Sequence, residues 1–291
     1  GHGHGTHVAG TIAQSTNNKY GVAGLSYGAA IMPLRVLNNK GFGQVADIAD
    51  SIRFAADNGA DVINMSLGGP LPTAVMSSAI KYAHKKGVTI VAAAGNGGKR
   101  KPSYPAAYKH VIAVAATQFD RSTTFYSQWG EYVDIAAPGG NTRVDQNGDG
   151  RPDGVLQETL KDGQTDRHDF LLYMGTSMAS PHVAAGAALV IEQGITNPNK
   201  VEQILKKTAD DSEKKRYKNK KEFKERYGAG IMQADAAAKQ AVTDQGVGRM
   251  ASVLALIGIA LFGTRRRNWL VGSAGATGIF SMSAIMSGVG L

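Results

Sequence analysis

An α/β fold built on a mostly parallel central sheet is what this sequence predicts, and three observations predict it. Short β-branched runs alternate with helical stretches between Gly21 and Ala238, and most of those runs are apolar along their length. Glycine supplies 37 of 291 residues, about 13% against a usual ~7%, without a collagen-like period. Near-continuous apolar strands separated by helices belong to a parallel sheet covered on both faces. The excess glycine points to tight turns and close backbone approaches.

The elements follow in order. Ile31–Val36 reads as a strand, and Gln44–Asn58 carries Val45, Ile48, Ile52 and Ala55 at helical spacing. Asp61–Ser66 is a short apolar strand, Pro72–Lys86 a helix and Val88–Ala94 a buried strand. Val111–Ala116 and Tyr132–Ala136 are strand-like, and Ser177–Gln193 is a long Ala-rich helix with Pro181 in its first turns. Such a sheet places ligands at the carboxyl ends of its strands. Chemistry is therefore expected after Ser66, after Ala94 and in the loops that precede helices.

Composition narrows the field. Hydrophobic residues make up 43% and charged residues 19%, enough for a substantial core and against general disorder. Cysteine is absent, which excludes disulfides, thiolate metal sites and cysteine nucleophiles. The net charge of +9 is local: Lys99-Arg100-Lys101, Arg265-Arg266-Arg267 and the stretch Lys200–Arg226. These read as solvated surface without stacking partners, so no nucleic-acid partner is expected. The chain opens Gly1-His2-Gly3 with neither Met nor a leader, a start that reads as cut.

Three stretches carry chemistry. In His4-Gly5-Thr6-His7-Val8-Ala9-Gly10 an imidazole stands at the start of a small-residue helix, placed to serve as a general base. In Gly175-Thr176-Ser177-Met178-Ala179-Ser180-Pro181-His182 a hydroxyl sits at a helix head, where the N-terminus stabilises developing negative charge. In Ala92-Ala93-Ala94-Gly95-Asn96-Gly97-Gly98 a strand ends in an amide donor flanked by glycines, suited to an oxyanion. His2, His4 and His7 also spell His-x-His-x-x-His, but Thr6 stands where a zinc hydrolase needs Asp. His7 and His182 are expected to pack or orient, His110 and His168 to lie at the surface, and Met178 to fill space.

Together these stretches resemble the subtilisin family of serine peptidases. Asp61-Val62-Ile63-Asn64-Met65-Ser66-Leu67-Gly68-Gly69, Asp134-Ile135-Ala136-Ala137-Pro138-Gly139 and Tyr227-Gly228-Ala229-Gly230-Ile231 extend the likeness, in order, over roughly residues 1–240. The resemblance implies a three-layer subtilisin-like fold and a serine endopeptidase acting through an acyl-enzyme. Ser177 would be the nucleophile, His4 the general base, and Asn96 with the Ser177 N–H the oxyanion donors. Ser66, Leu67 and Gly68 would pair with extended substrate, Gly41 and Gly43 would belong to the opposite flanking strand, and Gly95 would border the specificity pocket. Gly97 stands where some relatives carry an acid, which implies a pocket for apolar side chains. The family's catalytic Asp is missing: only three residues precede His4, and no Asp-Ser-Gly or Asp-Thr-Gly occurs. A truncated peptidase is the expectation, and a non-catalytic relative that binds peptides is the alternative.

Asp145, Asn147, Asp149 and Asp153 occupy alternating positions of a loop with Gly150 at its sixth, and Arg151 offers a carbonyl, a Ca2+ pattern. Leu156 replaces the closing Glu, with Glu158 as a substitute. A weaker calcium candidate is Asn18, with the carbonyls of Tyr20 and Val22. The expected organisation is a catalytic domain over 1–243, with a calcium-loop insert near 141–158, and a hydrophobic helical tail over 244–291. Two uncharged tail segments, 250–264 and 268–291, flank Arg265–Arg267 and fit a membrane hairpin. The expected protein is a monomer that acts on protein or peptide substrates, secreted or membrane-anchored, with its catalytic domain outside the cytoplasm.

Overall fold

The computed structural model describes residues 2–161 and 164–247. Four parallel strands, β1 (Val62–Met65), β2 (Thr89–Ala93), β3 (Ile112–Thr117) and β4 (Ile135–Pro138), form a sheet in the order β1-β2-β3-β4. Every residue of β2 and β3 is buried, as a strand covered on both faces requires.

Two helical layers do the covering. α2 (Val45–Asp57) and α3 (Ala74–Lys85) lie on one face, where Ile48, Ile52, Met76 and Ile80 pack on Ile90, Ala92 and Ala113. On the other face α4 (Thr176–Glu192) and α5 (Pro198–Lys207) set Val183, Ala187, Val190, Ile204 and Leu205 against Val91, Val114 and Ile135. Small residues, Ala179, Ala184 and Ala187, make up much of the face that α4 buries against the sheet. Thr73 caps α3 by accepting from Met76 N, and Asn197 caps α5 just before Pro198. α6 (Lys220–Tyr227) adds Phe223 and Tyr227 to a small cluster with Val133 and Ala136, and a last helix begins at residue 234.

α1 (His4–Ala13) packs on α4 and on an antiparallel hairpin, β5 (Val155–Leu160) with β6 (His168–Tyr173). The sequence reading did not anticipate this hairpin. His7 ties it to α1: its Nε2–H reaches the carbonyls of Val155 and Leu171 at 3.0 and 3.1 Å, and its ring stacks on Tyr173.

The expected strand Ile31–Val36 does not form. Among the described residues the segment makes no ladder, and Ile31, Met32 and Leu34 are 42%, 41% and 37% exposed. A cavity of about 1810 Å³ has both this segment and β1 in its lining. Among the described residues β1 has no pairing partner on its outer side, so that backbone row is unpaired.

Contacts divide the chain into two units, residues 1–245 and 246–291. The expected membrane hairpin over 250–291 lies outside the described residues. Among the described residues no helix is long and apolar enough to cross a membrane.

Candidate active site

Ser177 owes its position to its neighbours in the chain. Gly175, at φ +155°, turns the backbone from β6 into α4, and its N–H bonds to Gly139 O at 3.0 Å. Ser177 then falls in the first helical turn, whose N–H groups have no intrahelical acceptor. Pro181 explains a second feature. It lacks the N–H that would have bonded Ser177 O one turn earlier. Ser66 Oγ donates to that carbonyl instead, at 2.7 Å, and Ser177 Oγ donates back to Ser66 O at 3.3 Å. Asn64 secures Ser66 by donating Nδ2 to its Oγ, while Ser180 Oγ donates to Asn64 Oδ1 at 2.6 Å. The end of β1 is thereby bolted to the head of α4.

Asn96 follows the end of β2. Its Oδ1 accepts from Thr176 N at 2.9 Å and from Thr176 Oγ1 at 2.8 Å, which fixes the amide orientation. Nδ2 is left without a protein acceptor among the described residues, and a Cβ built on Gly175 would stand 3.6 Å from it. Thr176 Oγ1 also accepts from Gly95 N at 3.2 Å. A cavity of about 380 Å³ opens here, shared by Ser177, Asn96, Gly95, Leu67 and Gly68. Ser66 lies at its edge through the hydrogen bonds just described. The Ser177 hydroxyl, the Asn96 amide and the two glycine-rich strand ends thus meet at one mouth.

His4 shares a cavity with Ser66–Gly69. It lines the larger cavity, which also includes Ser66, Gly68, Gly41 and Gly43. Among the described residues no hydrogen bond joins its ring to Ser177. Burial, and then the neighbouring His2 and His7, hold the His4 imidazole below its ordinary pKa, so it is neutral at pH 7 and able to take a proton. No carboxylate is among the groups that shift it. Gly41, at φ +80°, sits in a turn closed by Gly41 N to Asn38 O, and a Cβ on Gly43 would strike Val36 O at 2.2 Å. Both glycines line the His4 cavity rather than the one beside Ser177.

The model of the subtilase family matches residues 1–230, four-fifths of the length. The chain belongs to the subtilase family. It is 43% identical over 208 residues to a thermophilic serine proteinase of Bacillus sp. (strain AK1), covering 71% of this chain and 47% of that one. It is 40% identical over 210 residues to thermitase of Thermoactinomyces vulgaris, covering 72% and 68%. Among solved structures, a protease from Pseudoalteromonas arctica PAMC 21717 superposes with a TM-score of 0.73 at 36% identity, covering 82% of this chain and 70% of that one. The subtilase chain thus spans about half the length of the first of these relatives.

Elsewhere in this subtilase, the Asp145 loop is organised by its own backbone. Asp145 accepts from the N–H groups of Gly148, Asp149 and Gly150, Asp149 from Arg151 N, and Asp153 from Gln146 N. Asn147 Nδ2 donates to Asp149. An Asn141–Asp153 bridge closes the loop, and residues 155–158, expected within the insert, belong to β5. The carboxylates do not converge: among the described residues no three acidic or histidine side chains are grouped to hold a metal. Asn18 Oδ1 accepts from Tyr20 N, closing a short turn.

Sequence reasoning missed four residues that matter here. Thr176 and Asn64 orient Asn96 and Ser66, while Ser103 and Gln128 line the Ser177 cavity. Thr176 stood inside the recognised Ser motif, and Asn64 two residues before Ser66; Ser103 and Gln128 had no local signal.

Proposed function

We propose that residues 1–243 are the greater part of a serine endopeptidase. Ser177 Oγ attacks a peptide carbonyl and passes its proton to the His4 imidazole. The oxyanion accepts from Asn96 Nδ2 and the Ser177 N–H; His4 then returns the proton to the leaving amine, and water hydrolyses the acyl-enzyme. To reach His4, the Ser177 hydroxyl must turn away from the Ser66 carbonyl. The observation that carries this reading is the shared mouth at which Ser177 and the unengaged Nδ2 of Asn96 meet. Substrate would lie extended along Ser66-Leu67-Gly68, adding main-chain hydrogen bonds to a strand end.

The third triad member would be a carboxylate, and none of the described residues' carboxylates is among the groups that shift His4. The unpaired edge of β1, with His4 on the wall of the adjoining cavity, has room for one more strand, and a strand there could bring an Asp to the ring. Without it, orientation of the imidazole is lost, at a cost of about 10⁴-fold in comparable triads.

Labelling of Ser177 by a fluorophosphonate tests the assignment. The expected result is slow modification that disappears in Ser177→Ala and quickens when a segment bearing an aspartate is supplied beside His4. Undiminished labelling of Ser177→Ala removes the nucleophile from its role. Peptide affinity with no labelling under any condition would favour a binding module instead.

Subtilisin-family proteins commonly bind calcium. In this chain the spacing of Asp145, Asn147, Asp149, Arg151 and Asp153 supports a site. Binding would require Asp149 and Asp153 to turn toward Asp145. An extracytoplasmic location is proposed on the family resemblance.

A further inference from the structure

The cavity beside Ser177 is lined by two cations and no anion. Lys99 and Lys101 are both among its lining residues, and among the described residues neither pairs with a carboxylate. Their neighbour Arg100 behaves differently: it turns to Glu225, with Nε and Nη2 at 2.9 and 2.6 Å from the carboxylate. The Lys99 stem passes 3.4 Å from where a Cβ on Gly97 would stand, so the chain crosses the rim rather than leaving it.

The walls explain what the space can accept. Gln128 Oε1 takes the N–H of Gly97 at 3.2 Å, and its Nε2 donates to Lys101 O at 2.7 Å. Its amide is therefore satisfied, and it braces the two sides. A Cβ on Gly95 would lie 2.3 Å from Gln128 Oε1, so the cavity ends there. Ser103 is buried, and its hydroxyl has no protein partner among the described residues. It stands against the opposite wall, 2.8 Å from a Cβ built on Gly68. A hydroxyl with no protein partner among the described residues, and two lysines among the lining residues, suit the space to an anion.

We infer that this cavity takes an acidic side chain, glutamate or aspartate, from the peptide residue whose carbonyl Ser177 attacks. The apolar preference expected from Gly97 considered the missing acid alone; it left out Lys99 and Lys101, the immediate sequence neighbours of Arg100. The inference rests on the peptidase reading for the name of the substrate residue, but its charge selectivity belongs to the cavity alone. A cationic side chain would meet like charge, and an apolar one would leave Ser103 unpaired.

The test is binding of fluorescent peptides to the Ser177→Ala chain, so that nothing is cleaved. The peptides are identical except for Glu, Gln, Leu or Lys at the pocket position. Glu is expected to bind about five- to tenfold tighter than Lys at low salt, the scale of two exposed ion pairs. The advantage should shrink at high salt. Lys99→Ala combined with Lys101→Ala should erase the difference between Glu and Gln. Equal or tighter binding of the Leu or Lys peptide overturns the inference, as does a Glu preference that survives the double substitution. Fluorophosphonate labelling of the unsubstituted chain reports separately on catalysis, so a selective cavity beside an unreactive serine would leave the inference standing and remove the enzyme.

Discussion

Ser66 and Ser177 exchange hydrogen bonds where a proline removes a helical donor, and that exchange ties Ser177 to the end of β1. Asn96 is held in the same economical way, by the threonine one residue before Ser177. Two outcomes follow at this scale. Asn96→Ala should lower kcat of the active enzyme by about 10²–10³, the loss known for removing an oxyanion donor from a subtilisin. Thr176→Val, which keeps the shape but deletes the hydroxyl bond to Asn96, should lower kcat less and leave KM nearly unchanged. Steady-state kinetics on one peptide substrate check both, and a Thr176→Val change confined to KM would count against the positioning role.

Elements differ in how securely they are held. α3 is anchored by Ile80, fully buried between α2 and the sheet. Ile80→Ala should cost about 2–5 kcal/mol of unfolding free energy, read from the urea midpoint, because little around it can collapse into the void. β1 is the opposite case, a short strand with one bare edge. The loop from Asp145 stands on its own hydrogen bonds and also carries the calcium proposal. If an ion adds to those bonds, excess EDTA should lower the melting temperature. An unshifted transition would mean that backbone N–H groups alone hold the turn.

Across the whole molecule, protonation sets the acid limit. His4, His7 and His182 are all held below the ordinary imidazole value, with burial the largest cause in each. A group whose folded pKa is depressed binds more protons when unfolded. Stability should therefore be fully present above about pH 6.5 and decline as pH falls below it, toward the depressed folded values. Thermal melts between pH 8 and pH 5 check the sign; a melting temperature that rises on acidification would contradict it. The net charge of +9 acts in the same direction, since further protonation adds self-repulsion.

What the amino-acid order settled alone was local. Apolar runs named four strands of the sheet, with ends displaced by up to three residues, and helical spacing named α2, α3 and α4. The motifs around Ser177 and Asn96 identified groups that the fold then brought to one mouth. What needed tertiary structure was everything that depends on a partner distant in sequence. Ile31–Val36 has strand chemistry but no strand beside it, and a strand without a neighbour leaves its hydrogen bonds to water. β5 and β6 form because they find each other and His7, although neither is strongly apolar. Gln128 and Ser103 acquired a role only when folding carried them to the wall of a cavity opened by Gly68 and Gly95. Periodicity records which face of an element is buried, while a site is a meeting of faces that no single stretch of chain contains.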